Sequence, residues 1–317
     1  MASVKRKRFL LLSNPHSRRG ASAVAPATEA LNAAGIDVIP LAAKKASDIS
    51  ALVAENAAKA DGVIVAGGDG TMNAVAGALV DTGLTLGVLP SGTANDLART
   101  LAIPEDPRKA ADIIASGHTR RIDLGSVNGH YFFNVASIGL AADLAGKLTK
   151  QSKKRFGRLS YAVAALKVLM EARPFTAEIS NKGEVTRVKT LQIGIGNGRF
   201  YGGGMAVESS ALINDGHLDL YSLEIDEVWK LALLLRSFRL GRHGLWEEVR
   251  TARCTEFEVK TRRPQPINLD GELKTHTPAR FEIHPKAVTV FAPVAQDGVA
   301  PAPGLTPAKV SPSAAGV

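Results

Sequence analysis

Short apolar runs alternate with longer segments of helical composition through the first third of the chain. Most of these runs end in turns that contain Gly, Asn or Pro, and an Ala-rich segment follows. Short connections between strand-like and helix-like segments are typical of βαβ units and predict a doubly wound parallel sheet. The predicted strands are residues 9–13, 36–41, 62–66 and 84–89, and the predicted helices are 21–34, 49–58, 71–80 and 93–101.

After residue 121 the pattern changes to strand-like segments with few helices between them. Many of these segments alternate apolar and polar positions, which is typical of antiparallel strands. The predicted strands are 122–127, 131–137, 175–180, 185–195, 217–222, 255–261, 265–270 and 279–291, and the predicted helices are 141–150, 159–172 and 227–240. The predicted fold class is therefore α/β, with an N-terminal doubly wound parallel-sheet domain and a C-terminal antiparallel, β-rich, sandwich-like domain.

The same change of pattern predicts the domain boundaries. We expect one domain over residues 1–124, a second over 125–293, and an Ala/Pro-rich, mostly disordered tail over 294–317. The single cysteine, Cys254, excludes an internal disulfide and a cysteine-based zinc site, so a reducing cytoplasm is the simplest setting. No apolar run approaches the roughly 20 residues that span a bilayer.

A glycine-rich loop follows the third predicted strand. Residues 63–71 read Val-Ile-Val-Ala-Gly-Gly-Asp-Gly-Thr, so an apolar run ends in three glycines and one acid before a predicted helix. Glycines let backbone N–H groups approach a phosphate, and a helix N-terminus adds a favourable dipole. Asp69 would repel phosphate unless a metal ion or a water lies between them. The loop therefore favours a metal-assisted phosphate site over a purely structural turn.

A second loop follows the fourth predicted strand, where residues 89–99 read Leu-Pro-Ser-Gly-Thr-Ala-Asn-Asp-Leu-Ala-Arg. Gly92 and Thr93 are predicted to open a helix, so their N–H groups and the Thr hydroxyl could bind phosphate. Asn95 and Asp96, in the first turn, could simply be capping residues, and a phosphate role for Gly92 and Thr93 is favoured. Because ligands of parallel sheets bind at the carboxyl ends of the strands, we expect one crevice to collect three turns. These turns lie at residue 14, residues 67–71 and residues 91–95.

Both loops resemble the catalytic domain of diacylglycerol kinases and, more closely, the soluble bacterial YegS-like lipid kinases. The resemblance continues through five further motifs in order. They are Arg-Ile-Asp-Leu-Gly at 121–125, Phe-Asn-Val-Ala-Ser-Ile-Gly at 133–139, Gly-Ile-Gly-Asn-Gly at 194–198, Ala-Leu-Ile-Asn-Asp-Gly at 211–216 and Asn-Leu-Asp-Gly-Glu at 268–272. It therefore spans about residues 8 to 292.

The resemblance implies an ATP- and Mg²⁺-dependent active site in the cleft between the two domains. Asp69, together with Asp123, would organise the catalytic Mg²⁺, and Glu272 would be the general base that takes the proton from the lipid hydroxyl. Nothing in the local sequence selects Glu272 over Asp270. The residues expected to hold ATP are Asn14, Gly67, Gly68, Asp69, Gly70, Thr71, Met72, Asn73, Gly92 and Thr93.

The resemblance also implies a second, structural Mg²⁺ near Asp215. The Asp215 side chain and the backbone carbonyls of Leu212 and His217 would hold it. From spacing alone, Asn-Asp-Gly at 214–216 equally predicts an ordinary hairpin turn. The chain departs from its relatives at Ala74, where they commonly carry Glu, and at Ala42-Ala43, where a nucleotide-contacting Thr often stands.

The net charge of +9 calls for an explanation, such as an anionic binding partner. A cationic run precedes an apolar segment and is predicted to contact an anionic membrane surface, which would make the protein cytoplasmic and peripherally membrane-associated. The run consists of Lys147, Lys150, Lys153, Lys154, Arg155 and Arg158. A second basic amphipathic segment at 229–239 suits membrane contact and core packing equally. No aromatic stacking set or basic recognition helix points to nucleic acid, and the oligomeric state, a homodimer included, stays open.

The function predicted from these motifs is phosphorylation of a hydroxyl on a glycerolipid, such as diacylglycerol or a phosphatidylglycerol-like lipid. A catalytically weak nucleotide- or lipid-binding regulator is the alternative that Ala74 suggests, although Asp69, Asp123 and Glu272 argue against it. A sphingoid-base or ceramide kinase ranks lower. An NAD kinase shares the glycine loop but not the second loop, so it ranks lower as well.

Overall fold

The computed structural model of the chain describes residues 6–13, 18–43, 45–147, 172–198, 200–201, 205–206, 212–225 and 249–294. Several predicted features lie outside these residues. They are Asn14, the basic run beyond residue 147, the helices predicted at 159–172 (except residue 172) and 227–240, and the tail from residue 295. Within the described residues, no helix is long and apolar enough to cross a bilayer.

The N-terminal region contains four parallel strands with helices between them. The strands pair in the order β2-β1-β3-β4, and they are β1 (Lys7–Ser13), β2 (Ile36–Leu41), β3 (Gly62–Gly67) and β4 (Thr85–Pro90). The helices are α1 (Arg18–Ala33), α2 (Ile49–Asn56), α3 (Asp69–Thr82), α4 (Asp96–Thr100) and α5 (Pro107–Ser116), with 3₁₀ turns at Ala46–Asp48 and Ala57–Lys59. Strand β3 is buried at every position, as expected when both faces of a parallel sheet are covered.

Two helices of this region differ from the prediction by more than a small shift of their ends. Helix α5 was not predicted, although its capping signals are present in the sequence. Asp106 accepts N–H groups of the first turn, Pro107 stands at the first helical position, and Gly117 ends the helix with a left-handed backbone. Helix α4 begins at Asp96 rather than at Thr93. The side chain of Asn95 accepts the N–H of Gly92 at 2.8 Å, and this local bond holds the segment as a turn.

The first sheet continues beyond these four strands. Strand β18 pairs with β4 at Val290–Leu86 and antiparallel with its other neighbours, so the described part of the sheet has ten strands. The added strands are β5 (Thr119–Val127), β6 (His130–Phe132), β8 (Phe175–Asn181), β9 (Glu184–Thr190), β15 (Glu256–Thr261) and β18 (Ala279–Phe291). Strand β5 crosses residue 124, and the domain boundary drawn there stays a prediction.

A second sheet is wholly antiparallel and has the order β14-β13-β10-β7-β16-β17. Its strands are β7 (Val135–Gly139), β10 (Gln192–Gly196), β13 (Leu218–Leu223), β14 (Val249–Cys254), β16 (Pro266–Leu269) and β17 (Glu272–His276). A separate pair consists of β11 (Phe200–Tyr201) and β12 (Met205–Ala206), and helix α6 (Leu140–Lys147) follows β7. Strands β14 and β17 were not predicted.

Two apolar cores organise these layers. One packs the parallel strands against their helices. The other includes Phe257 and Phe281 of the first sheet and Ile193 and Leu220 of the second, so the two sheets face each other as a sandwich. The predicted fold class, a parallel α/β domain with an antiparallel sandwich-like region, is confirmed.

Two predicted strands are each divided in the structure. The segment 185–195 breaks at Leu191, because β9 pairs in the first sheet and β10 in the second. The segment 131–137 breaks at residues 133–134, because the backbone N–H groups there turn towards the carboxylate of Asp270. Both breaks depend on partners that are distant in the sequence.

Candidate active site

The two glycine loops lie in direct backbone contact at the carboxyl ends of β3 and β4. A Cβ added to Gly68 would lie 3.0 Å from the Cα of Gly92, and one added to Gly92 would lie 2.5 Å from the Cα of Gly68. The N–H of Ser91 donates to the carbonyl of Gly67 at 3.0 Å. Only residues without a side chain allow this approach, so the glycines bring the two predicted phosphate loops into one wall.

Helix α3 begins within the first loop. The carbonyl of Gly68 accepts the N–H groups of Thr71 at 2.9 Å and Met72 at 3.1 Å. In the described part of the chain, the N–H groups of Asp69 and Gly70 have no acceptor. Unpaired N–H groups at a helix N-terminus favour an anion, so this loop can bind a phosphate oxygen through its backbone.

The Asp69 carboxylate stands at the start of this helix. Its Oδ1 accepts the N–H of Leu97 at 3.1 Å, which ties the first turn of α3 to α4. The residue is partly exposed, and its other oxygen has no partner among the residues described. Mg²⁺ in phosphoryl-transfer sites is held by one or two carboxylates together with substrate phosphates. Asp69 therefore fits the predicted role at a catalytic Mg²⁺.

The other predicted phosphate-binding residues have mixed surroundings. Met72 is buried in the first core, so only its backbone can approach a nucleotide. Thr71 packs over Gly67, where a Cβ would lie 2.7 Å from its hydroxyl oxygen. Asn73 uses its amide to donate to the carbonyl of Tyr131 at 2.7 Å. Thr93 lies in the turn before α4, and the N–H of Gly92 is already accepted by Asn95.

Asp270 is a partly buried structural acceptor. Three consecutive N–H groups, those of residues 133–135, donate to its carboxylate at 2.8, 3.0 and 3.1 Å, and the amide of Asn73 adds a bond of 3.2 Å. Burial, with a smaller contribution from the nearby charge of Asp69, raises the pKa of Asp270 to about 6 against the opposing effect of these hydrogen bonds. Its lone pairs are occupied, so Asp270 joins helix α3 to the start of β7 and leaves little capacity for a reacting group.

Glu272 occupies a different position from Asp270, although only Gly271 separates them. Its Oε1 lies 2.9 Å from the point where a Cβ on Gly70 would stand. Its Oε2 forms an ion pair with the Nζ of Lys274 at 2.7 Å, and the side chain of Glu272 is 42% exposed. The structure therefore distinguishes two carboxylates that the local sequence leaves equivalent: Glu272 is accessible and faces the glycine loop. Lys274 was not among the predicted site residues, and no motif marks it.

Asp123 is almost completely buried, at 1% exposure. Its two oxygens accept the N–H groups of Gly216 at 2.6 Å and Lys286 at 2.7 Å, and its own N–H donates to the carbonyl of Ile213 at 2.8 Å. These bonds attach the turn before β13 to strands β5 and β18. The described contacts do not bring Asp123 to Asp69, so a shared role at Mg²⁺ stays a prediction.

The three residues predicted to hold a second Mg²⁺ lie in one turn. The Asp215 carboxylate accepts the N–H groups of Leu212 at 3.0 Å and His217 at 3.1 Å. It also forms an ion pair with the guanidinium of Arg253, a residue that the sequence did not indicate. Within the residues that the structure describes, no three His, Cys, Asp or Glu side chains form a group able to hold a metal.

Each half of the chain matches a model of a known protein family. Residues 8–127 match the family model described as the diacylglycerol kinase catalytic domain. Residues 134–292 match the model described as the YegS C-terminal NAD kinase beta sandwich-like domain.

Similar proteins cover nearly the whole chain. A protein of Pseudomonas fluorescens named "Probable lipid kinase YegS-like" is 34% identical over 91% of this chain and 96% of its own length. A Mycobacterium tuberculosis protein named "Diacylglycerol kinase" is 34% identical over 89% of this chain and 94% of its own length. The crystal structure of a Bacillus anthracis diacylglycerol kinase is 25% identical, with a TM-score of 0.76, and covers 92% of this chain and 99% of that one.

Proposed function

The chain belongs to the diacylglycerol kinase catalytic-domain family with a YegS-type C-terminal domain, and from this membership we propose a specific reaction for it. The protein is a lipid kinase, a phosphotransferase with an alcohol group as acceptor. We propose that it transfers the γ-phosphoryl group of ATP, with Mg²⁺, to a hydroxyl of a glycerolipid such as diacylglycerol or a phosphatidylglycerol-like lipid.

One observation carries the proposal: the Glu272 carboxylate stands beside Gly70 in the phosphate loop. A general base must lie within hydrogen-bond reach of the proton that it removes. A lipid hydroxyl placed between Glu272 Oε1 and a phosphate bound at the loop would meet that condition. The ion pair with Lys274 directs the other oxygen away, so Oε1 is the atom available to the hydroxyl.

The proposed step is a simple phosphoryl transfer. Glu272 takes the hydroxyl proton, the lipid oxygen forms a bond to the γ-phosphorus, and the bond from that phosphorus to the β–γ bridging oxygen breaks. ADP leaves with the bridging oxygen. Since phosphoryl transfer depends mainly on positioning and charge neutralisation, the protein contributes a fixed base and a fixed phosphate cradle.

Asp69 is the residue that would hold the catalytic Mg²⁺. When bound, this ion supplies positive charge beside the phosphate oxygens. The Leu97 N–H orients the Asp69 carboxylate, and the free N–H groups of Asp69 and Gly70 would be available to the phosphate oxygens. ATP would complete the ligand set, which suits a site with few protein carboxylates.

We also propose that the protein works at a membrane surface from the cytoplasmic side, since its substrate is a lipid. Support comes from the sequence, where the cationic run from Lys147 to Arg158 precedes an apolar segment. Basic residues near an anionic surface contribute about 1 kcal/mol each.

The decisive experiment measures transfer of labelled phosphate from ATP to lipid. The purified chain is incubated with Mg²⁺, ATP and vesicles of mixed glycerolipids, and the product is identified by mass spectrometry. We expect Glu272→Gln to abolish transfer, because the amide cannot accept the proton. Glu256→Gln is the matched control, since that exposed carboxylate pairs with Arg280 on the surface.

Three results would contradict the proposal. Full activity of Glu272→Gln would show that Glu272 is not the general base. Transfer to NAD with none to lipid would indicate an NAD kinase. No transfer to any lipid of a broad panel would favour a nucleotide- or lipid-binding regulator.

A further inference from the structure

A cation already lies at the carboxylate predicted to hold a second Mg²⁺. The Nη2 of Arg253 donates to Oδ2 of Asp215, and its Nε lies 3.6 Å from Oδ1 of Asp219. The side chains of Asp215 and Asp219 are only 15% and 11% exposed. Carboxylates that lose this much water are stabilised by hydrogen bonds or by a paired charge. One guanidinium thus serves two nearly buried acids.

Strand register determines where this guanidinium lies. Arg253 of β14 stands directly opposite Asp219 of β13 in the antiparallel ladder. Directly opposed side chains are close enough for a charge pair, and the long Arg side chain reaches from there to the adjacent turn. Arg250, on the same strand, pairs instead with Glu224. The contact to Asp215 therefore follows from the sheet and belongs to Arg253 in particular.

The donors around Asp215 do not suit Mg²⁺. Both of its oxygens accept backbone N–H groups, from Leu212 and His217, and Oδ2 also accepts the guanidinium. Mg²⁺ requires oxygen ligands in a near-octahedral arrangement and gives up its water reluctantly. A divalent ion at this carboxylate would also face the fixed positive charge of Arg253. The residues present do not fit the second Mg²⁺ that the family resemblance implies.

We propose that Arg253 takes the place of that structural cation, so the turn from Leu212 to His217 is held without metal. The turn matters because it is attached to the nucleotide-binding sheet. Gly216 donates its N–H to Asp123, and Ile213 accepts the N–H of Asp123. Arg253 consequently connects the second sheet, through Asp215 and its turn, to strand β5 of the first.

The test measures thermal unfolding of the full chain with EDTA or with Mg²⁺, in the absence of nucleotide. We expect Mg²⁺ to raise the Tm of the wild-type protein by less than about 1 °C, because a site without affinity adds nothing by mass action. Arg253→Ala removes the guanidinium from the nearly buried Asp215 carboxylate, so its Tm in EDTA should fall by roughly 4 °C. Mg²⁺ should restore part of that loss.

Two variants make the test specific. Arg250→Ala, on the same strand, should show no Mg²⁺ response. Adding Asp215→Ala to Arg253→Ala should remove the response, since the carboxylate that takes the ion is gone. If Arg253→Ala does not fold, Arg253→Lys, which keeps the charge, should fold and remain insensitive to Mg²⁺.

The wild-type titration decides the matter independently of these variants. A rise in wild-type Tm with Mg²⁺ that Asp215→Asn abolishes would overturn the proposal, as would an Arg253→Ala variant that neither loses stability nor responds to Mg²⁺. A rise that Asp69→Asn abolishes and Asp215→Asn does not would assign the ion to the glycine loop. That result would support a metal-free turn.

Discussion

Glu272, the first residue of β17, lies directly beside Gly70 in the first turn of helix α3. A Cβ on Gly70 would lie 2.9 Å from Oε1 of Glu272, closer than a carbon and an oxygen ordinarily approach. A side chain at this position would therefore have to displace the end of the Glu272 side chain. This contact places the predicted base next to the predicted phosphate site, although the two residues lie far apart in the sequence.

Gly70→Ala tests this contact. The added methyl group should displace the Glu272 carboxylate and lower kcat/KM for lipid phosphorylation at least about tenfold. Stability should not fall, because Gly70 lies in helix α3 without a left-handed backbone and Ala is the better helix former. Gly77→Ala on the same helix is the control, since its Cβ would meet only the Ser50 hydroxyl at 3.4 Å. Equal activity of the two variants would contradict the role given to this contact.

Lys274 should orient the base. Lys274→Gln removes the ion pair to Glu272, which should cost at most about 1 kcal/mol of stability because both side chains are partly exposed. This loss of stability is too small to lower kcat by unfolding. We nevertheless expect kcat to fall in Lys274→Gln, and we expect Lys274→Arg to restore most of the wild-type kcat. Lys260→Gln, which removes a comparable exposed pair with Glu258, is the control. A fall in Tm with unchanged kcat would assign Lys274 a structural role alone.

Asp270 should make stability depend on pH. Burial raises its pKa to about 6 from 3.8, so between these values the native protein holds a proton that the unfolded chain has lost. The contribution of this group to stability therefore falls as pH rises from about 4 to about 6, by up to roughly 3 kcal/mol, and is constant above that.

Urea unfolding of the wild-type protein and Asp270→Asn across this pH range checks the sign. The asparagine does not titrate, so the wild-type protein should lose stability relative to the variant as pH rises. The variant should be less stable at every pH in this range, because its amide nitrogen faces N–H donors. A pH-independent difference between the two proteins would show that Asp270 does not titrate in this window.

Asp123→Asn separates an anchoring role from a metal role. Because both Asp123 oxygens accept backbone N–H groups in a buried position, the amide should destabilise the protein by about 2–4 kcal/mol. Urea unfolding measures this loss, and Asp112→Asn, at an exposed position of helix α5, should change little. Unchanged stability with lost Mg²⁺-dependent turnover would instead favour the predicted role at the catalytic ion.

Neutralising Lys153, Lys154 and Arg155 tests the membrane proposal, which rests on residues outside those described. Co-sedimentation with vesicles should lose its dependence on anionic lipid, because each charge contributes about 1 kcal/mol at such a surface. Neutralising Lys260, Arg262 and Arg263 is a control for net charge. Unchanged binding of the first variant would refute contact through this run.

Several features of the fold could be predicted from local pattern. The strands at 36–41 and 279–291 have the predicted bounds, and the other parallel strands differ by one or two residues. Continuous apolar runs identify strands that are buried on both faces, and this signal is local. Val249–Cys254 was missed because its exposed polar positions carry no such signal and its pairing depends on β13.

The sequence by itself determined the family of this protein. The signals were the two glycine loops, Asp69 within the first loop, and the ordered motifs that follow them. Only the tertiary structure decided what surrounds each carboxylate. Glu272 faces Gly70, Asp270 is enclosed by N–H donors, and Asp215 is paired with Arg253. The physical reason is that burial and hydrogen-bond partners come from segments distant in the chain, and sheet order and register bring those segments together.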